Sequence, residues 1–303
     1  MCSLLRQDLN WDYLLSTAQS HGILFLLERR LEKYCAGLVP PGEPDRLRSL
    51  LEQNARRNLL LTAELLSLLK LLENAHITAI PYKGPALAAY LYGDFALRRI
   101  DDLDILVRKS DVWKTHEILR SAGFVPSVTV SQEQLSVLFK SECDLSFTHR
   151  QTKLVVEVHW ALAPPFYGFQ LRTDDLWKRL ECVDLSGTEV PALSREDLLL
   201  AVCVHGTKHL WERLEWICGV AELARSESGL DWARTWSEAS SLHVQRILLL
   251  GMALAYDLLR AELPDEILKK LKMDKAVTSL VRSVRDALFS NKAACLFQQT
   301  LFR

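Results

Sequence analysis

The sequence predicts an α+β fold in which a small mixed β-sheet unit is flanked by N- and C-terminal α-helical lobes. Three observations carry this. Leu and Ile recur three and four apart from Asp8 to about Ala75, short β-rich runs cluster between about 76 and 162, and the helical period returns beyond Pro164-Pro165. At 303 residues the chain exceeds the usual domain size of about 100 to 200 residues, so several packed units are expected. They are drawn as 1–75, 76–162 and 163–303.

In the first unit, the Pro40-Pro41-Gly42-Glu43-Pro44 break separates early helices from a long one, capped near Asp45 and running to Asn74. In the second, Ile77–Tyr82 reads as a strand, Lys83-Gly84-Pro85 as a turn, and Ala86–Tyr92 as a helix. Leu103–Val107 is a strand, Ser110–Ala122 a helix stopped by Gly123, and Asp144–Thr148 with Lys153–Trp160 a hairpin. In the third, Ser194 caps a helix over Arg195–Leu210, and further helices fit Leu214–Arg225, Leu230–Ala239, Val244–Ala261 and Pro264–Leu271. The chain ends in the apolar stretch Leu296–Arg303, which is expected to pack on another lobe or to mark a shortened version of a longer relative.

Composition excludes several classes. With 37 basic and 38 acidic residues, a net charge of −1, the chain is no globally basic nucleic-acid binder. Hydrophobic residues at 49% and charged ones at 25% are ordinary globular proportions. The N-terminal MCSLLRQDLNWDYLL carries charges where a secretory signal needs an apolar run. Asn58–Leu72 is interrupted by Thr62, Glu64, Ser67 and Lys70, so no membrane span is expected. A soluble, cytoplasmic protein is the expectation. Its seven scattered cysteines, without a C-x-x-C pair, are expected to be reduced thiols.

The chemistry centres on Arg98 to Val107. In a strand, side chains two apart share a face, so Asp102 and Asp104 project together while Leu103 and Ile105 face away. Such a pair repels itself unless a cation sits between the carboxylates, and Mg²⁺ suits one or two carboxylates plus phosphate oxygens. Glu157, inside the apolar run Leu154–Trp160, shares a face with Val155 and His159. A buried carboxylate needs a partner, here a metal or a cation such as Arg98. Upstream, Lys83-Gly84 opens a helix, where free N–H groups and a lysine charge can cradle phosphate.

These stretches resemble the polymerase beta type of nucleotidyltransferase, more narrowly a bacterial family of uncharacterised nucleotidyltransferases. The matching segments are Tyr82–Leu87, Leu91–Asp94, Arg98–Val107, Val156–Trp160, His205–Trp211 and Leu214–Trp216, within about residues 60 to 225. The resemblance implies that the mixed sheet is a nucleotidyltransferase core. It also implies metal-dependent transfer of a nucleoside monophosphate from a nucleoside triphosphate to an acceptor, releasing pyrophosphate, with Mg²⁺ or Mn²⁺ as cofactor. By position, Asp102, Asp104 and Glu157 would hold two metals, and Glu157 would help activate the acceptor hydroxyl. Gly84 would admit the phosphates, with Lys83 or Arg98 neutralising charge. Pro85 departs from the superfamily's Gly-Ser or Gly-Gly, because it offers neither N–H nor hydroxyl.

Several roles stay open. His205 and His209 share a helical face and suit zinc, an inter-lobe polar network, or nucleotide contact through Lys208 and His209. Trp211 and Trp216 suit base stacking or core packing. His159 can orient Glu157, carry a proton, or be a hydrogen-bonded strand histidine, and Arg98 can instead close the loop before its strand. Lys83 and Gly84 on the phosphate side and Lys208, His209 and Trp216 on the nucleoside side place the triphosphate in a cleft between lobes. The partners are thus a triphosphate and an acceptor left open among small molecule, peptide, protein and RNA end, with no membrane and no nucleic acid indicated by charge. Two other classes compete: a degenerate fold serving as a nucleotide-binding or regulatory module, and a D-x-D glycosyltransferase. The latter needs a nucleotide-binding α/β domain before the motif, where this chain reads as helical. Converting either aspartate to Asn is expected to abolish transfer while leaving the fold intact or slightly stabilised. Glu142 and Asp144 are the substitutes should Glu157 lie out of reach.

Overall fold

A computed structural model describes residues 3–167, 173–225 and 229–289. The N-terminal helices follow local signals. Asn10 accepts from the Tyr13 amide to cap α1 (Trp11–Ser20), and Gly22, at φ +69°, turns the chain into α2 (Leu24–Cys35). Beyond the Pro/Gly break lies α3 (Glu43–Asn74), with Gly42 at its N-cap and Glu43 and Asp45 in the first turn, where carboxylates favour the helix dipole. A small core of Leu15, Leu24, Leu31 and Leu47 joins these helices.

The chain then supplies β1 (Ala79–Pro81), α4 (Gly84–Tyr92), β2 (Leu103–Val107), α5 (Val112–Ser121), β3 (Phe124–Pro126), α6 (Gln132–Ser141), β4 (Asp144–His149) and β5 (Val155–His159). Five strands form one mixed sheet in the order β1-β2-β5-β4-β3. β2 and β5 pair in parallel, and the other neighbours run antiparallel. β2 is buried at every position, as expected of a central strand covered on both faces. One face meets α3 through Leu65, Leu68 and Leu72. The expected strand at Ile77–Tyr82 is shorter, and β3 and α6 are additions to the sequence reading. α6 begins at a capping box between Ser131 and Gln134.

After α7 (Thr173–Leu176) come β6 (Glu181–Leu185) and β7 (Thr188–Ala192), a separate hairpin that packs against β1 and α4. The helices α8 (Arg195–Lys208), α9 (Leu214–Arg225), α10 (Trp232–Ser241), α11 (Gln245–Leu259), α12 (Asp265–Met273) and α13 (Lys275–Phe289) follow. Ser194 caps α8 by accepting from the Asp197 amide. Their core, including Leu199, Val220, Leu248 and Leu254, reaches Ile80 and Leu106 on the sheet. The fold is α+β, a mixed sheet between flanking helices.

No described helix is long and apolar enough to cross a membrane. Cys143, Cys182, Cys203 and Cys218 are free. Cys35 corrects the expectation of reduced thiols throughout, because it is disulfide-bonded. Such pairing depends on proximity in space, which scattered cysteines do not reveal. The C-terminal stretch Leu296–Arg303 lies outside the described residues.

Candidate active site

Two asparagines of α3 position the segment that enters β2. Asn58 Nδ2 donates to the carbonyls of Phe95 at 2.7 Å and Arg98 at 2.6 Å, and Asn54 Nδ2 donates to those of Ala96 at 2.9 Å and Arg98 at 3.1 Å. The loop before the acids is thereby fixed to a long rigid helix, and its buried carbonyls find the donors they require. From there Asp102 lies just before β2 and Asp104 lies within it.

The parallel register sets Asp104 opposite Glu157. Their carboxylates and the His159 ring present donor atoms within 4.8 Å of one another. Asp104 is almost fully buried, with Lys83 Nζ at 2.5 Å and His159 Nε2 at 2.9 Å. Burial alone would raise its pKa, but the Lys83 ammonium and the His159 hydrogen bond outweigh that and hold the carboxyl well below its usual range. His159 Nε2 also lies 3.3 Å from Glu157. Burial opposes charge on this ring, yet the bonds to Asp104, Cys143 and Glu157 push its pKa up to about 10. Of the roles open to His159, the structure shows a hydrogen bond to Asp104, with the Glu157 carboxylate beside it.

Asp102 differs. Burial first, then the nearby charge of Asp104, raises its pKa to about 6 against the partial relief of Lys83. Among the described residues its carboxylate belongs to no cluster of three metal-donor side chains.

Gly84 opens α4 at φ +56°, and a Cβ there would stand 3.4 Å from the Asp102 carbonyl. A side chain would be strained at this left-handed turn, and glycine lets the α4 N-terminus approach the acids without that cost. Lys83 is buried and turned inward, 3.5 Å from His205 Nδ1 as well as onto Asp104.

All nine residues expected of the site line one cleft of about 270 Å³. Lys83, Gly84, Arg98, Asp102, Asp104 and Glu157 come from the sheet side, and Lys208, His209 and Trp216 from α8, its C-terminus and α9. Lys208 Nζ stands 3.5 Å from Asp144. His205, His209 and Trp216 form an aromatic cluster with ring centroids 4.6 to 5.5 Å apart. Burial, then the Lys208 charge, lowers His209 to about 4, and burial, then Lys83, lowers His205 well below its usual value. Both rings are therefore neutral at pH 7. Neither joins a three-residue metal group among the described residues, so the pair sits in an inter-lobe polar and aromatic network. Trp211 is core, 1% exposed and packed on Gly206 and Gly251.

The cleft also holds residues that the sequence did not announce. Arg98 Nε faces Glu215 at 3.9 Å, and Arg213 bridges Asp101 at 3.2 Å and Glu215 at 3.5 Å. Arg98 thus both lines the cleft and closes its loop. Arg213 lies 112 residues beyond Asp101, so no local spacing signals the pair.

A model of the family described as uncharacterised nucleotidyltransferase matches residues 7–260. The chain belongs to this family. Nucleotidyl transfer is accordingly its reaction class. No curated protein matches the chain. Among solved structures, ANT(2'')-Ia in complex with adenylyl-2''-tobramycin is 11% identical with a TM-score of 0.42, over 61% of this chain and 97% of that one. The lincosamide antibiotic adenylyltransferase LnuA, lincomycin-bound, is 17% identical with a TM-score of 0.37, over 53% and 94%. An antigenic nucleotidyltransferase-like protein from Paracoccidioides brasiliensis is 13% identical with a TM-score of 0.40, over 74% and 91%.

Proposed function

We propose that the protein transfers a nucleoside monophosphate from a nucleoside triphosphate to an acceptor hydroxyl and releases pyrophosphate. The observation that carries this is the convergence of Asp102, Asp104 and Glu157 with the Lys83-Gly84 turn in one cleft between residues 76–162 and 163–303. Of residues 1–75, α1, α2 and the start of α3 share a core of their own beside it, while the rest of α3 packs on the sheet.

The carboxylates fit a hard divalent cation: Asp104 and Glu157 face each other, and Asp102 is a strained acid that a positive charge would relieve. Asp102, Asp104 and Glu157 would hold Mg²⁺ or Mn²⁺, which supplies neutralisation of the charge on the triphosphate. The chain does the rest. Gly84 and the α4 N-terminus receive phosphate oxygens, and Lys83 and Arg98 add positive charge. Lys208, His209 and Trp216 hold the nucleoside from the opposite wall. The acceptor oxygen bonds to the α-phosphorus as the bond to pyrophosphate breaks, and the hydroxyl proton passes to the Glu157 carboxylate, which His159 orients.

A second reading, a nucleotide-binding module without turnover, draws support from the Lys83 and His159 bonds that already occupy Asp104. Thermal unfolding with each triphosphate, with and without Mg²⁺, tests binding. An α-labelled triphosphate supplied with a metabolite pool tests transfer. Stabilisation only with Mg²⁺ together with covalent label is the expected result. Metal-dependent stabilisation without label would favour the module, and neither effect would remove both readings.

A further inference from the structure

Residues of the N-terminal helices line a second cavity, of about 240 Å³, that adjoins the Arg99-Ile100-Asp101 segment. Those three residues line both this cavity and the cleft. The two spaces thus share this stretch of wall, and Asp102 follows it directly. Gly22, also on the cavity wall, abuts Glu215 of the cleft so closely that a Cβ would fall 2.2 Å from its carboxylate oxygen.

The two spaces have opposite charge. Among the described residues that line the cleft, seven carboxylates outnumber five lysines and arginines. The charged groups of the second cavity are Arg57, Arg99 and Asp101. Asp101 is already shared among three guanidiniums, with Arg99 Nε at 3.0 Å, Arg213 Nη1 at 3.2 Å and Arg57 Nη2 at 3.9 Å. Arg213 also pairs with Glu215 at 3.5 Å, so within the cavity the single charge of Asp101 stands against those of Arg57 and Arg99. Each guanidinium has five N–H donors, and Arg57 spends one on the Asp101 carbonyl while Arg99 spends two, on the Asp101 carboxylate and the Gln19 carbonyl. Donors and positive charge remain for a ligand. The side-chain amide of Gln53 lines the same wall, and Phe25 and Leu51 supply an apolar one. The volume falls below the roughly 300 to 1,000 Å³ of drug-sized pockets and suits a metabolite.

We propose that this cavity seats the acceptor, and that the acceptor is a small hydroxylated molecule carrying an oxyanion, phosphate or carboxylate, gripped by Arg57 and Arg99. The proposal rests on reading the adjoining cleft as the transfer site. Bound there, the acceptor presents its hydroxyl past Asp101 to the cleft. Its oxygen bonds to the α-phosphorus, pyrophosphate leaves with the electron pair of the broken P–O bond, and the proton goes to Glu157. Planar guanidinium forks match both oxyanions, whereas a polycationic acceptor would meet like charge.

The test titrates the full chain with inorganic phosphate and, separately, with acetate at constant ionic strength, following thermal unfolding. Arg57 is 58% exposed at its side chain and lies outside the cleft lining, so Arg57→Ala should fold. One or both anions should raise the wild-type midpoint, with the stabilising anion identifying the acceptor's group. Arg57→Ala should lower the apparent anion affinity at least tenfold, and Arg57→Lys should restore part of it. No stabilisation by either anion, or equal stabilisation in Arg57→Ala, would overturn the proposal, the latter by placing the anion on the triphosphate side. Stabilisation by a Mg²⁺–triphosphate is measured on the same samples, so failure of the nucleotidyl-transfer reading shows separately as loss of that shift in the wild type.

Discussion

The inner and outer ends of the Asp102-Leu103-Asp104 tripeptide meet opposite environments. Inside, Asp104 is buried against Lys83 and His159 and stays ionised. Outside, Asp102 faces the cleft with its pKa raised to about 6, and burial rather than any partner dominates its energetics. Two identical residues, two apart at the head of one strand, therefore differ in kind. The inner one is neutralised within the fold and ties it together. The outer one carries a charge only partly relieved by Lys83, which an incoming cation would stabilise.

The largest expected effect separates them most sharply. Asp104→Asn should abolish transfer and also destabilise the protein by about 3 to 5 kcal/mol, because Lys83 and His159 would remain buried without their counter-charge. This replaces the expectation that either aspartate could be neutralised at no cost to the fold. Urea unfolding measures it, and an Asn variant as stable as the wild type would show that the two bonds contribute nothing.

Asp102→Asn should abolish transfer too, but leave stability unchanged or raised at pH 7 to 8. The sign follows from linkage. The folded-state pKa of about 6 exceeds the ordinary 3.8, so the folded protein holds this proton more tightly. The stability due to that proton is complete below about pH 4 and lost as pH rises through 6. At about 1.36 kcal/mol per unit the limit is roughly 3 kcal/mol, reduced by partial solvation. The advantage of the Asn variant over the wild type should therefore grow between pH 4 and 6, and a constant difference across that range would contradict the raised pKa.

The smallest effect probes the outer wall. Lys208→Ala should weaken triphosphate binding about tenfold by calorimetry while changing unfolding free energy by less than about 1 kcal/mol, since its 3.5 Å pairing with Asp144 is partly solvated. Large destabilisation with unaltered binding would make Lys208 structural and narrow the nucleotide site to the sheet side.

Periodicity made the major architecture legible. The alternation around Glu157 marks β5, and α9 spans the expected Leu214–Arg225. β3 has only Phe124-Val125-Pro126 and ends in proline, too short for a pattern, and the β6–β7 hairpin carries little alternation and lies among helical segments. In the site, the residues that stand in short motifs could be read directly. Lys83 could be read as a cation, but not that it turns onto Asp104. Asp144 enters the sequence reading only as a substitute for Glu157, although it lines the cleft and faces Lys208. Arg213, Glu215, Asn54 and Asn58 matter through partners far along the chain, which no local spacing reports.

The grip of α3 on the loop before β2 also governs where the chain tolerates a change of length. Asn54 and Asn58 lie four residues apart on one helical face and share the Arg98 carbonyl. One residue inserted between them would rotate one amide about 100° away from the other and release the loop that aims both aspartates. Residues added at the Pro40–Pro44 break would leave the pair in phase. Insertions and deletions should therefore be accommodated before this helix, while its length between Asn54 and Asn58 is fixed by a carboxylate cleft that neither asparagine lines.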